Sequence, residues 1–244
     1  GNLMLTVWLA VNPKIKRCFW RMISDNMDQV KQREENSFSG LNVKELKDIF
    51  HQNANPGPPV PGPYTPTCVF LLLYNLAEPH ILAIQKTDTE GYPWRNQVAL
   101  PGGHLEKEDA SPLEGAFREL EEETRISRDQ VDLLGSLGHF QTINGREIEA
   151  FIGVWDATGP VLHDPSEIAR ILNIPLRPLV QTHHAGNFHN RIPGIDELRY
   201  PFEDVVIWGA TARIVHHFIE ILYPLFGSIP ADKAYDVGDN HVTA

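Results

Sequence analysis

What the chain lacks narrows its chemistry first. Cysteine is scarce: Cys18 and Cys68 are the two present, too few for a disulfide framework and placed in neither a CxxC pair nor a Cys/His zinc spacing. A reducing compartment is expected, and with it a cytoplasmic location. Long apolar runs are missing as well. The uncharged stretch Leu3 to Val11 is about half the length of a membrane span. It precedes Lys14, Lys16 and Arg17, the reverse of a signal peptide, so no membrane partner is expected. Gly1 stands in place of methionine, and Met22 and Met27 are candidate starts. Basic residues are the minority, 21 against 32 acids for a net charge of −11. Nucleic acid and anionic lipid are repelled at long range by such a charge. A polyanionic ligand therefore needs a cation between itself and the protein.

What is present is ample core material: 42% of 244 residues are hydrophobic, enough for one large or two small domains. Proline crowds Asn53 to Pro66, which forbids a regular helix and marks the main boundary. The expected division is an N-terminal arm and linker (1–65), one domain (66–228) and a tail (229–244). The arm holds a short helix near Val43 to Phe50. Beyond the boundary, Cys68 to Tyr74 and His80 to Lys86 read as paired strands, and Asn96 to Leu100 as a short one. Val131 to Thr142 and Glu147 to Trp155 read as strands around the turn Asn144-Gly145, and Pro165 to Leu172 as a short helix. Val206, Ala210, Ile214, Phe218 and Leu222 recur at helical spacing before Pro224. The alternation implies α/β layers.

The informative segment follows Gly102-Gly103. Ser111, Pro112 and Glu114 form a helix start with a capping box. Between His104 and Glu123 lie eight acids against two bases, a net of −6. Leu113, Ala116, Phe117, Leu120 and Thr124 form one stripe that must face the core. Glu119, Glu122 and Glu123 share a flank, spaced i, i+3 and i+4, so their carboxylates can converge. Four glutamates in five positions repel one another and oppose the helix dipole. Arg118 can offset part of this by pairing with Glu122, and a hard divalent cation with oxygen ligands can offset the rest. Two glycines before the helix let backbone approach such an ion closely.

The run Arg118-Glu119-Leu120-Glu121-Glu122-Glu123-Thr124 after Gly102-Gly103 resembles the Nudix box of the Nudix hydrolase superfamily, which is two glycines, a spacer and REUxEExGU. A spacer longer by one residue and carrying Asp109 is similar to the coenzyme A pyrophosphatase branch. Gln97 to Gly103 and Ile207 to Arg213 agree with that branch. Departures are Arg125 for the closing glycine, Trp94 and Asn96 for the branch's His and Gly, and Leu100 for its Phe. With Arg125 in place of glycine, the helix either runs on or ends on a left-handed arginine.

The resemblance implies a Nudix-type α/β/α sandwich with a mixed sheet and a C-terminal helix. It implies Mg2+, with Mn2+ as an alternative, held by Glu119, Glu122, Glu123 and the Gly102 carbonyl, with Arg118 orienting the carboxylates. Glu167 is the candidate general base and Glu149 its alternative. Lys86 and Arg95 are candidates for the outer phosphates and Trp94 for stacking a base; otherwise they are surface cations and a core Trp. His183, His184 and His189 read as a solvated or substrate-facing loop, and His216 and His217 as facing apart with no shared site. The implied activity is hydrolysis of coenzyme A, or a related nucleoside diphosphate derivative, into two phosphomonoesters. ADP-ribose or a dinucleotide is the alternative substrate, and a non-catalytic nucleotide-binding module the alternative class. A homodimer is compatible with all of these.

Overall fold

The computed structural model describes residues 41–53, 61–91 and 94–226. The stretch Leu3 to Val11, Cys18, the candidate starts Met22 and Met27, residues 54–60 of the proline-rich stretch and the 229–244 tail lie outside them.

The centre of the fold is β1 (Thr65–Tyr74), whose residues from Cys68 to Leu73 are all buried. Such a run, apolar on both faces, suits only a strand covered above and below. It pairs antiparallel with β2 (His80–Lys86) and with β4 (Gly102–His104). On its other edge it runs parallel to β6 (Arg146–Trp155), which pairs antiparallel with β5 (Val131–Gln141). With β3 (Val98–Ala99) and β7 (Ile168–Pro175), both on β2, this makes a mixed seven-stranded sheet.

Alternation along the strands sends side chains to two cores. On one face Cys68, Phe70, Leu72 and Phe151 pack under Ala116, Phe117 and Leu120 of helix α2 (Pro112–Thr124). On the other, Val69, Leu71, Leu73, Ala150 and Ile152 meet three helices: α1 (Val43–Gln52), α3 (Leu176–Ala185) and α4 (Gly209–Leu222). The α/β/α sandwich with its C-terminal helix is the observed architecture. Although α1 lies on the far side of the proline-rich stretch, its Leu46 is fully buried and its Phe50 stacks on Phe218 at 6.3 Å.

Several expectations change. Pro165 to Leu172 is not a helix. Asp164 does cap one turn, its Oδ1 accepting from the Ser166 N–H at 2.8 Å and its carbonyl from Ile168 at 2.9 Å. Pairing with β2 then holds Ile168 onward as a strand, with Ile168, Leu172 and Ile174 buried. The expected histidine loop instead begins with α3, in which Leu176, Leu179, Val180 and His183 form one buried face. Val206 belongs to a hairpin of β8 (Tyr200–Phe202) and β9 (Val205–Ile207), not to the terminal helix. Asn96 adopts φ 58° before the short β3 rather than joining it.

Candidate active site

Helix α2 begins at the expected cap, with the Ser111 hydroxyl accepting from the Glu114 N–H at 3.3 Å. The reciprocal half of the box is replaced: Glu114 turns its carboxylate to Arg128, at 2.6 and 2.7 Å. At the other end Arg125 takes the left-handed conformation, φ 61° and ψ 18°, and its N–H closes the last turn on the Glu121 carbonyl at 2.9 Å. The helix stops where a glycine would stop it.

The two glycines hold β4 against β1 in front of this helix. A Cβ on Gly102, where φ is +151°, would lie 2.2 Å from the Cys68 carbonyl oxygen, and one on Gly103 would lie 2.4 Å from the Glu119 carboxylate carbon. The pair thus seats the strand on β1 and leaves room for Glu119. Glu123, buried at the same place, accepts from the Gly102 N–H at 2.9 Å and pairs with Lys86 Nζ at 2.6 Å. Burial pushes both carboxyls above the ordinary range, with Arg118 opposing at Glu119 and Lys86 at Glu123.

Arg118 ties the surroundings together. Its Nε and Nη2 grip Asp109 at 3.1 Å each, Nη2 also donates to the His104 carbonyl at 3.0 Å, and Nη1 reaches Glu119 and Glu122 at 3.1 Å. The guanidinium bonds hold the Asp109 carboxyl below the usual range. Glu122 stays at the rim, its side chain 58% exposed. Glu119 and Glu123 therefore flank β4 while Glu122 lies outside it, so the three carboxylates do not converge as expected. Arg118 and Lys86 draw them apart, and their oxygens do not all come within 4.8 Å of one another.

The other expected residues are partly drawn in. Glu167 is exposed just before β7 and near enough to Glu123 to repel it. Glu149 pairs in register with Cys68 on the face that α2 covers, with His139 Nε2 at 3.9 Å. Trp94 carries the Arg146 guanidinium over its ring at 4.2 Å. Arg95 lies out at the surface, paired with Asp88 at 3.1 Å. Sequence reasoning missed Arg146 and His104, whose side chains meet at 2.8 Å, Nη1 to Nε2. The position of His104 directly after the glycines was a signal; nothing in the sequence pointed to Arg146.

The histidines require a correction. His183 is buried in α3, and His216 shares a cluster with it and Glu220 rather than standing alone. Burial pushes His183 down to about 4, so its imidazole is neutral. This cluster lies on the sheet face opposite α2. His184 and His189 both contact Tyr223 nearby, while His217 faces Phe140.

Chemically, Glu119, Glu122 and Glu123 offer hard oxygen donors, two of them desolvated and only partly offset by Lys86 and Arg118. Such a set fits Mg2+ or Mn2+ better than a softer ion.

Residues 64–185, half of the chain, match the NUDIX domain family. Proteins named "Uncharacterized Nudix hydrolase NudL" from Yersinia pestis and Yersinia pseudotuberculosis are 32% identical over 128 residues, 51% of this chain and 63% of theirs. The chain thus spans less than two thirds of the length of these curated relatives. Among solved structures, the Nudix domain of Shewanella oneidensis NrtR in complex with ADP ribose is 14% identical at a TM-score of 0.45, covering 75% of this chain and 99% of that one. A C. elegans Ap4A hydrolase in a binary complex is 17% identical at a TM-score of 0.40, covering 46% and 80%. With the glycine pair, the glutamate helix and the family match falling on the same residues, the chain belongs to the Nudix family.

Proposed function

We propose that this protein is a Mg2+-dependent Nudix hydrolase that cleaves the diphosphate link of coenzyme A, or of a related nucleoside diphosphate derivative, into two phosphomonoesters. The observation that carries this reading is the pair of desolvated carboxylates, Glu119 and Glu123, set against Gly102 and Gly103 of β4. Glu119, Glu122, Glu123 and the Gly102 carbonyl would hold the metal. When bound, it screens the phosphate oxygens and lowers the pKa of a water.

The chain's own groups do the rest. Arg118 fixes the directions of Glu119 and Glu122, and Asp109 fixes Arg118. Glu167 is the proposed base that takes the proton from the attacking water, with Glu149 as its alternative. Lys86 beside Glu123 meets the outer phosphate. Trp94 and Arg146 offer a flat face and a cation for a base, and Arg95 adds charge at the rim. Coenzyme A is favoured over ADP-ribose or a dinucleotide by the Asp109-bearing spacer and by the stretches 97–103 and 207–213. The binding-module reading loses ground because all three glutamates are present.

A panel of coenzyme A, ADP-ribose and dinucleotides, assayed with Mg2+ and with Mn2+ by mass detection of products, tests the proposal. Coenzyme A is expected to yield 3',5'-ADP and 4'-phosphopantetheine, and Glu122→Gln and Glu123→Gln are each expected to abolish turnover without unfolding the chain. Turnover retained in both variants would overturn the site assignment. Rapid ADP-ribose hydrolysis with coenzyme A untouched would reverse the substrate order, and tight nucleotide binding without cleavage would favour the binding module.

A further inference from the structure

We propose that His183, His216 and Glu220 form a binding site for a divalent transition metal of the zinc type, with His189 as a fourth ligand. It lies between α3 and α4, on the sheet face opposite the carboxylate helix. Among the described residues, this is the one group of three metal-ligating side chains whose ligand atoms all lie within 4.8 Å of one another.

Spacing comes first. His216 and Glu220 are four apart on α4 and so share a face, and His183 meets them from α3 with Nε2 2.7 Å from Glu220 Oε1. His189 Nδ1 lies 3.0 Å from the same oxygen. Ligands about 2.0–2.1 Å from a tetrahedral ion stand roughly 3.3 Å apart, so the cluster needs shifts on the order of an ångström to close around one.

The surroundings are those of a supported site. A carboxylate only accepts, so His183 Nε2 carries the proton it donates to Glu220, and Nδ1 faces the Tyr200 hydroxyl at 2.9 Å. A metal at His183 Nε2 would displace that proton while Nδ1 takes one up, a tautomer shift with no net release in which Nδ1 donates to the Tyr200 oxygen. His189, whose Nδ1 faces the same Glu220 oxygen, would move its proton to Nε2 in the same way. His216 is oriented by the Phe188 carbonyl, 3.3 Å from its Nε2, and the second oxygen of Glu220 by the Asn190 N–H at 3.0 Å. Partners of this kind fix ring orientation and tautomer at metal sites. Two buried imidazoles and one carboxylate suit zinc, not Mg2+, which keeps oxygen ligands and waters. An ion here ties α3, the 188–190 segment and α4 into one unit, independently of catalysis.

The test uses the full chain, stripped with a chelator and titrated with Co2+ as a spectroscopic substitute for zinc. Excess Mg2+ keeps the oxygen site of α2 filled. One equivalent of Co2+ is expected to produce the intense visible bands of a tetrahedral field, which Zn2+ then bleaches. Glu220→Gln, which keeps the side-chain size and an acceptor oxygen, is expected to abolish the bands with unchanged far-ultraviolet circular dichroism. The half-exposed His189→Asn is expected to weaken binding about 10–100-fold. Absence of tetrahedral bands in the parent chain, or bands of unaltered intensity and midpoint in Glu220→Gln, would overturn the proposal.

Discussion

Two adjacent glycines have separable duties at the scale of the residue. Gly102 faces backbone, the Cys68 carbonyl, whereas Gly103 faces the carboxylate of Glu119. Gly102→Ala should therefore damage the fold, by about 2 kcal/mol or more, since an alanine there is strained and collides. Gly103→Ala should leave thermal stability nearly intact while displacing Glu119, with kcat/KM falling roughly 10–100-fold, as when a group orienting a metal ligand is lost. Measuring Tm and kcat/KM for both variants checks this, and the opposite pattern would show that the glycines' roles are exchanged. In the sequence, the glycines read as letting backbone approach a metal ion closely. The sequence did not show that the close neighbours are a strand carbonyl and the first glutamate of the helix. Nor were Trp94, His104 and Arg146 legible as a group, because three separate segments bring them together.

Among the elements, those with strong local signals were legible and those decided by pairing were not. Ser111 and Pro112 located the start of α2, and the stripe ending at Thr124 located its buried face. The short helix expected over Pro165 to Leu172 failed because only one turn forms after Asp164, and β2 then claims the following residues as β7. Helix α3 was missed although Leu176, Leu179, Val180 and His183 have helical spacing, because two histidines and a nearby Gly/Asn run read as loop. Arg125 offers a test at this scale. A left-handed arginine is strained by about 1 kcal/mol relative to glycine. Arg125→Gly is thus expected to stabilise the chain by about 0.5–1 kcal/mol in urea denaturation. A loss of stability would mean that the arginine side chain contributes more than its backbone costs.

Across the whole molecule, the sheet separates two kinds of polar centre: carboxylates under α2 on one side and the histidine cluster between α3 and α4 on the other. The apolar runs made the sheet legible, but not the return of α1 across the proline-rich stretch to the core. Leu46 is fully buried against that core, so Leu46→Ala is expected to cost about 2–5 kcal/mol. A change below about 0.5 kcal/mol, the usual range for surface positions, would show that α1 merely rests on the surface.

The parallel pairing of β1 with β6 also orders events in time. Thr65 finds its partner Arg146 only after roughly eighty further residues have been made, so this central contact is non-local and closes late. Helix α2 lies between the two strands in the chain and is synthesised before β6 can complete the sheet beneath it. Its glutamates begin in water, mutually repelling, yet the groups that later enclose Glu119 and Glu123, namely Lys86, Gly102, Gly103 and Arg118, are already made when the helix is complete. The carboxylate site can therefore assemble from one continuous segment, whereas the sheet that supports it waits for β6.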